Sequence, residues 1–202
     1  MRPIAHYPGG TVRALLSTAL VTPATRDALE ARLAREPVVV PRFFDQATFE
    51  RLRALCARLI PQDGLPGPVD LAGLIDERLA EGEGDGWRYA EMPPDGDAYV
   101  RGLHALDVTA RARAGGDFTT LSAAAQDDVL AAVKRGDVSE AAWSGVSPKR
   151  FFEEVLAEVS ERFYSHPYAL EEIGFVGMAD APGWQAIGLN RLEGREPREV
   201  DR

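Results

Sequence analysis

The stretch KRFFEEVLAEVSERFYS, residues 149–165, constrains the fold more than any other part of the chain. Phe151, Phe152, Val155, Leu156, Val159 and Phe163 recur at intervals of three and four, which places them in one stripe of an α-helix. Ser147-Pro148 in front supplies a capping hydroxyl and a proline at the first helical position, where the missing N–H costs nothing. Glu153 and Glu154 sit near the positive end of the helix dipole. The spacing predicts that Glu153, Glu154, Glu158 and Glu161 face water. An apolar stripe this long has to be covered, and the rest of the sequence offers further helices to cover it.

Thr11–Leu20 is apolar but weakly patterned. Thr22-Pro23 repeats the cap-plus-proline start and launches ATRDALEARLARE, while Pro37–Pro41 reads as a brief extended piece between prolines. Asp45 caps a helix carrying Phe49, Leu52, Leu55, Cys56 and Leu59, which stops at Ile60-Pro61 before the turn-rich QDGLPGP. The pattern predicts a further helix from about Pro68 to Leu79. It then predicts a Gly/Pro/acidic loop over 81–97, a helix over Ala98–Ala114 broken at Gly115-Gly116, and another from Ser122 to Gly136 lined by Val129, Leu130 and Val133. The acidic loop lacks the alternating ligand order of a calcium site.

Beyond His166-Pro167 the character changes. Glycines at 174, 177, 183, 188 and 194 rule out a long helix, yet Tyr168, Ile173, Phe175, Val176, Met178, Trp184, Ile187 and Leu189 are too apolar for a disordered tail. This segment has to bury those groups against its own helices or against another protein. The expected fold is therefore all-α: an irregular helical bundle with an extended, Gly/aromatic-rich C-terminal segment. The expected organisation is an N-terminal helical extension (1–42), a helical domain (43–166) and a C-terminal docking segment (167–202), within one structural domain overall.

A net charge of −9 and a pI near 4.9, with arginines interleaved among Asp and Glu, argue against nucleic acid as a partner. No apolar run reaches the length of a membrane span. The lone Cys56, in line with an apolar helical face, reads as a buried structural thiol. No dinucleotide fingerprint, P-loop or nucleophile elbow is present. His6, His104 and His166 form no metal-ligand pair. The aromatic cluster Phe163-Tyr164-Ser165-His166-Pro167-Tyr168 is accounted for by a turn at a helix end. The adjacent pairs Asp127-Asp128, Glu153-Glu154 and Glu171-Glu172 do not converge on a helix and read as solvated faces. No catalytic, cofactor-binding or metal-binding residue is assigned; a self-contained enzyme would have to use His104 or His166 as its base.

The run FFEEVLAEVSERFYSHPYALEEIGFVGMADAPGWQAIG resembles the C-terminal signature of the gluconate 2-dehydrogenase subunit 3 family. That signature is a Phe-rich helix, an aromatic-Ser-x-Pro turn, and a glycine-rich stretch closing with Gly-Trp and Ile-Gly. Here it is carried by Phe151, Phe152, Phe163, Tyr164, Ser165, Pro167, Gly177, Gly183, Trp184, Ile187 and Gly188. Upstream, LRALCARLIPQDGLPGPVDLAGLIDERLA and GLHALDVTARARAGGDFTTLSAAAQDDVLAAVKRGD resemble the family's other features, so the likeness spans roughly residues 43–190.

The resemblance implies a non-catalytic small subunit that stabilises or matures a large FAD-dependent subunit of the glucose-methanol-choline oxidoreductase type. Such complexes oxidise CH–OH groups of sugars, sugar acids, glycosides or polyols. It implies no cofactor in this chain, FAD in the partner, and in many members a cytochrome c subunit that receives the electrons. The expected partner-binding residues are Phe163, Tyr164, His166, Pro167, Tyr168, Phe175, Gly177, Gly183, Trp184, Ile187 and Gly188. A twin-arginine leader common in the family is not read in the N-terminal residues, which leads to an expected cytoplasmic location, or a periplasmic one by co-export. The family's Tyr-Gly-Gly-Asn element is replaced here by EIGFVG (172–177), which suggests a divergent branch. The alternative expectation is a chaperone-like or regulatory binding protein outside any redox complex.

Overall fold

The sequence's capping residues set most of the helix ends. The computed structural model describes residues 7–84, 89–178, 184–186 and 188–200. Among them all regular structure is helical: α1 (Thr11–Leu16), α2 (Pro23–Leu33), α3 (Gln46–Leu59), α4 (Leu71–Glu81), α5 (Asp95–Ala114), a 3-10 turn (Phe118–Thr120), α6 (Ala123–Arg135), α7 (Pro148–Tyr164) and α8 (Pro167–Glu172). The side chains of Thr22, Asp45 and Ser122 accept from the backbone N–H three residues on, at the starts of α2, α3 and α6. Gly115 and Gly136 close α5 and α6 in the left-handed conformation.

Three boundaries depart from the sequence reading. α4 begins at Leu71, after the turn at Pro68, because the Asp70 side chain caps it by accepting from Gly73 N at 3.1 Å. α5 begins at Asp95, three residues before the expected start. Asp95 and Asp97 occupy its first turn, where carboxylates are favoured, and Arg78 Nη1 holds Asp95 at 2.8 Å. The described part of the 81–97 loop packs on its own helices, with Met92 buried and Tyr89 beneath the Arg150 guanidinium. The third departure is α8, which occupies the first six residues of the segment expected to be extended.

The chain divides into two compact units. One comprises Pro37–Gln62 and Asp70–Arg162. Within it α3 packs on α4, α5, α6 and the 3-10 turn, and α5 packs on α6 and that turn. Phe49, Leu52, Leu55 and Cys56 from α3 are buried, as are Ile75, Leu103, Leu106, Phe118, Val129, Val133, Phe151, Val155 and Val159. Gly102 lets α5 meet the Phe151 ring: a Cβ there would lie 2.3 Å from that ring. Cys56 is buried as expected, and burial pushes its thiol pKa up, which leaves it inert.

Buried and half-buried carboxylates tie this unit's loops to its helices. Asp76 on α4 accepts from the backbone N–H groups of Arg42, Phe43 and Phe44 at 2.6–3.0 Å, and Asp70 accepts from Val38 N at 2.7 Å. Asp107 accepts from Phe118 N at 3.0 Å and pairs with Arg51 at 2.5 Å. Glu158 corrects the expectation of a water-facing side chain. It is half-buried, pairs with Arg78 through both carboxylate oxygens (2.7 and 2.9 Å), and accepts from Tyr99 Oη at 2.6 Å and from Arg162 Nε at 2.9 Å. Burial and the adjacent Glu158 charge push the Tyr99 pKa well up, so the phenol stays a donor.

Candidate functional site

The second unit, Met1–Glu36, Asp63–Val69 and Phe163–Arg202, carries the expected docking segment. Its α1 and α2 pack on each other, and both pack on α8. Leu16, Val21 and Leu29 form a core cluster against which Leu15, Leu33 and Met178 lie.

α7 stops at Tyr164 because Pro167 cannot continue the hydrogen-bond ladder. The same proline then starts α8 at its first position. His166 lies in the turn at a helix end, as expected, with its N–H donating to Phe163 O at 3.0 Å; it is also the N-cap of α8, where its backbone is extended and its Nδ1 accepts from Tyr168 N at 3.2 Å. It is only 8% exposed, and burial holds its pKa below the usual 6.5.

Glu171 also departs from the expected solvated face; it is 3% exposed. Its carboxylate accepts from Gly10 N (2.7 Å) and Arg13 N (3.0 Å) at the start of α1, and pairs with the Arg13 guanidinium at 3.0–3.3 Å. Burial raises its pKa, but these donors outweigh burial and hold it below the usual 4.5. Its neighbour Glu172 is exposed, as expected.

α8 closes in a Schellman turn. Phe175 N donates to Leu170 O at 2.9 Å, Gly174 N donates to Glu171 O at 3.1 Å, and Gly174 takes a left-handed φ of 67°. The Tyr7 ring lies where a Gly174 Cβ would be, 2.6 Å away, so glycine is doubly required there. The turn throws Phe175 outward, 46% exposed, and Val176 inward, 2% exposed.

Gly177 then runs between two aromatic rings. A Cβ on it would lie 2.8 Å from Phe175 and 2.5 Å from Trp184. Trp184 is 40% exposed, with the Arg195 guanidinium 4.7 Å from its ring centroid. Glu193, beside Arg195, accepts from the backbone N–H groups of Gln185 and Ala186, which hold its pKa down. The stretch around Trp184 is thus shaped by its own polar contacts, and Ile173, Leu189 and Leu192 are exposed nearby in sequence.

The expected partner-binding residues therefore divide. Phe163, His166 and Pro167 are buried, and Tyr168 is half-buried between Arg13 and His166, with its ring centroid 4.9 Å from that of His166. Tyr164, Phe175, Trp184 and Gly188 are exposed, and Gly177 is half-buried. Gly183 and Ile187 lie outside the described residues. Sequence reasoning missed Glu193 and Arg195, which shape the Trp184 stretch; their alternation with Glu196 in a polar tail carries no distinguishing signal.

The profile of the gluconate 2-dehydrogenase subunit 3 family matches residues 46–189, from the first residue of α3 to the exposed Leu189. The chain belongs to the gluconate 2-dehydrogenase subunit 3 family. No curated protein and no solved structure matches it. Membership in the subunit 3 family is consistent with an accessory subunit of a multi-subunit dehydrogenase. Among the described residues of this subunit 3 member, no helix is long and apolar enough to cross a membrane.

Proposed function

We propose that this chain is a non-catalytic small subunit that binds, and stabilises or matures, a large FAD-containing subunit of the glucose-methanol-choline oxidoreductase type. The complex would oxidise CH–OH groups of sugars, sugar acids or glycosides, pass electrons on to a cytochrome c subunit, and assemble in the cytoplasm. The observation that carries the docking role is the outward pair Phe175 and Trp184, set around Gly177 in a segment whose Val176 and Met178 anchor it inward. Aromatic rings offer large contact area for little lost entropy, and a shaped backbone reduces the ordering cost of binding.

Co-expression with a FAD-dependent large subunit of the glucose-methanol-choline oxidoreductase type from the same genome tests the reading. One complex should elute, and its FAD content should fall when this chain is left out. Phe175→Ala and Trp184→Ala should each weaken binding by more than about 2 kcal/mol, roughly thirtyfold in Kd. Separate elution with unchanged flavoprotein activity, or capture of the chain by proteins outside any redox complex, would refute it.

A further inference from the structure

Both ring nitrogens of His166 are committed. Nδ1 lies 3.2 Å from the backbone nitrogen of Tyr168, and Nε2 lies 3.2 Å from the carbonyl oxygen of Arg32. A backbone N–H only donates and a carbonyl only accepts, so Nδ1 is bare and Nε2 carries the hydrogen. One tautomer of the neutral ring meets both partners. The doubly protonated ring cannot, because its Nδ1–H would point at the Tyr168 N–H. Gaining that proton removes the side-chain cap of a six-residue helix, leaving Tyr168 N without that acceptor while Leu170 N still donates to His166 O at 3.1 Å.

Arg32 belongs to α2, so His166 ties the start of α8 to the end of α2, while Glu171 ties the end of α8 to the start of α1. The charged groups around the ring come from all three helices. Arg32 on α2 receives the Nε2–H on its carbonyl, and its guanidinium, which donates to Ser165 O at 2.9 Å, opposes a charged ring. Arg13 on α1 is committed to Glu171 and lies over Tyr168. Glu171 on α8 itself favours a charged ring. Burial is the largest effect and disfavours the charge, and the ring's pKa falls below its ordinary 6.5.

We propose that His166 is a proton-operated latch: neutral, it holds the start of α8 to the end of α2, and on gaining its second ring proton it releases the first turn of α8 from α2. The folded-state pKa lies below the unfolded one. The latch is therefore fully closed above about pH 6.5 and weakens as the pH falls below that, by at most about tenfold in the opening constant per pH unit. Glu171 titrates below 4.5, so the window from pH 7.5 to 5.5 isolates His166 from the second tie. Any effect on partner binding rests on the docking role proposed above; the latch itself does not.

Amide exchange of the full chain at pH 7.5, 6.5 and 5.5, corrected for intrinsic rates, provides the test. The opening constants of Tyr168 and Leu170 should rise by up to about tenfold between pH 6.5 and 5.5, while those of α3 stay level. His166→Asn keeps an acceptor at the cap but does not titrate, so its profile should be flat. A flat wild-type profile, or a His166→Asn profile that rises with the wild type, overturns the latch. Should His166→Asn fail to fold, ring titration of the wild type by NMR decides: a pKa below about 6.5 supports the latch, and one at or above it overturns it. If the latch profile holds but Phe175→Ala and Trp184→Ala bind the flavoprotein as the wild type does, the docking role fails and the latch stands.

Discussion

Replacing Glu171 by glutamine keeps the shape of the side chain and removes its charge, which isolates what the carboxylate does for α1. In the wild type it accepts from Gly10 N and Arg13 N and pairs with the Arg13 guanidinium, while being 3% exposed itself. Arg13 is more open to solvent, so water takes over part of its interaction and its pairing contributes less than about 1 kcal/mol. The larger loss is the anionic acceptor for two N–H groups at the start of α1. One amide oxygen can replace only part of it, and the amide NH2 group would face a donor. Together these set the cost of Glu171→Gln at about 2 kcal/mol, and of Glu171→Ala at about 3 kcal/mol. Urea unfolding followed by circular dichroism measures both, with amide exchange in α1 and α8 as the local readout. The pH dependence adds a sign. Because the folded-state pKa of Glu171 is depressed, its contribution is present above about pH 4.5 and is lost as the pH falls through the lower folded value. The gap between wild type and Glu171→Gln should therefore narrow on acidification. A cost under about 0.5 kcal/mol at neutral pH, or a gap that persists to about pH 3, would refute this account of the tie.

Two further substitutions probe the other unit. Gly102→Ala places a methyl where the Phe151 ring now sits and should cost about 1–3 kcal/mol by overpacking, with part recovered in the double variant Gly102→Ala/Phe151→Leu, as read from Tm. Asp76→Asn leaves three converging backbone N–H groups facing an amide in place of a carboxylate. It should cost about 2 kcal/mol and raise amide exchange at Phe43 and Phe44 with little change in α6.

How much was legible in the sequence depended on how far each residue's partners lie along the chain. The Thr22, Asp45 and Ser122 caps were readable because a cap and the N–H that donates to it are three residues apart. The α7 stripe was readable for the same reason. Glu158 and Glu171 were misread as solvent-facing, since Glu158 meets Arg78 across 80 positions and Glu171 meets Gly10 across 161. The helix-end position of His166 was readable, but its capping of α8 was not, because α8 has only six residues, too few for an apolar period to show, and Pro167 serves equally to stop one helix and start the next. The docking segment was identifiable as unusual, because glycine spacing and aromatic content are both properties of the sequence. Which of its aromatics turn outward was not.

The sequence by itself therefore determined the helical class, most helix starts, the buried thiol and, through its signature residues, the family. Each rests on neighbours a few positions apart or on residue types in order. Only the tertiary structure decided that Glu171 is a buried tie, that His166 bridges α8 to α2, and that Phe175 and Trp184 face outward around Gly177 while Val176 and Met178 face in. Those outcomes depend on which groups remote parts of the chain bring to them. A carboxylate is buried or solvated according to whether donors arrive to compensate its desolvation, and no local pattern records that arrival.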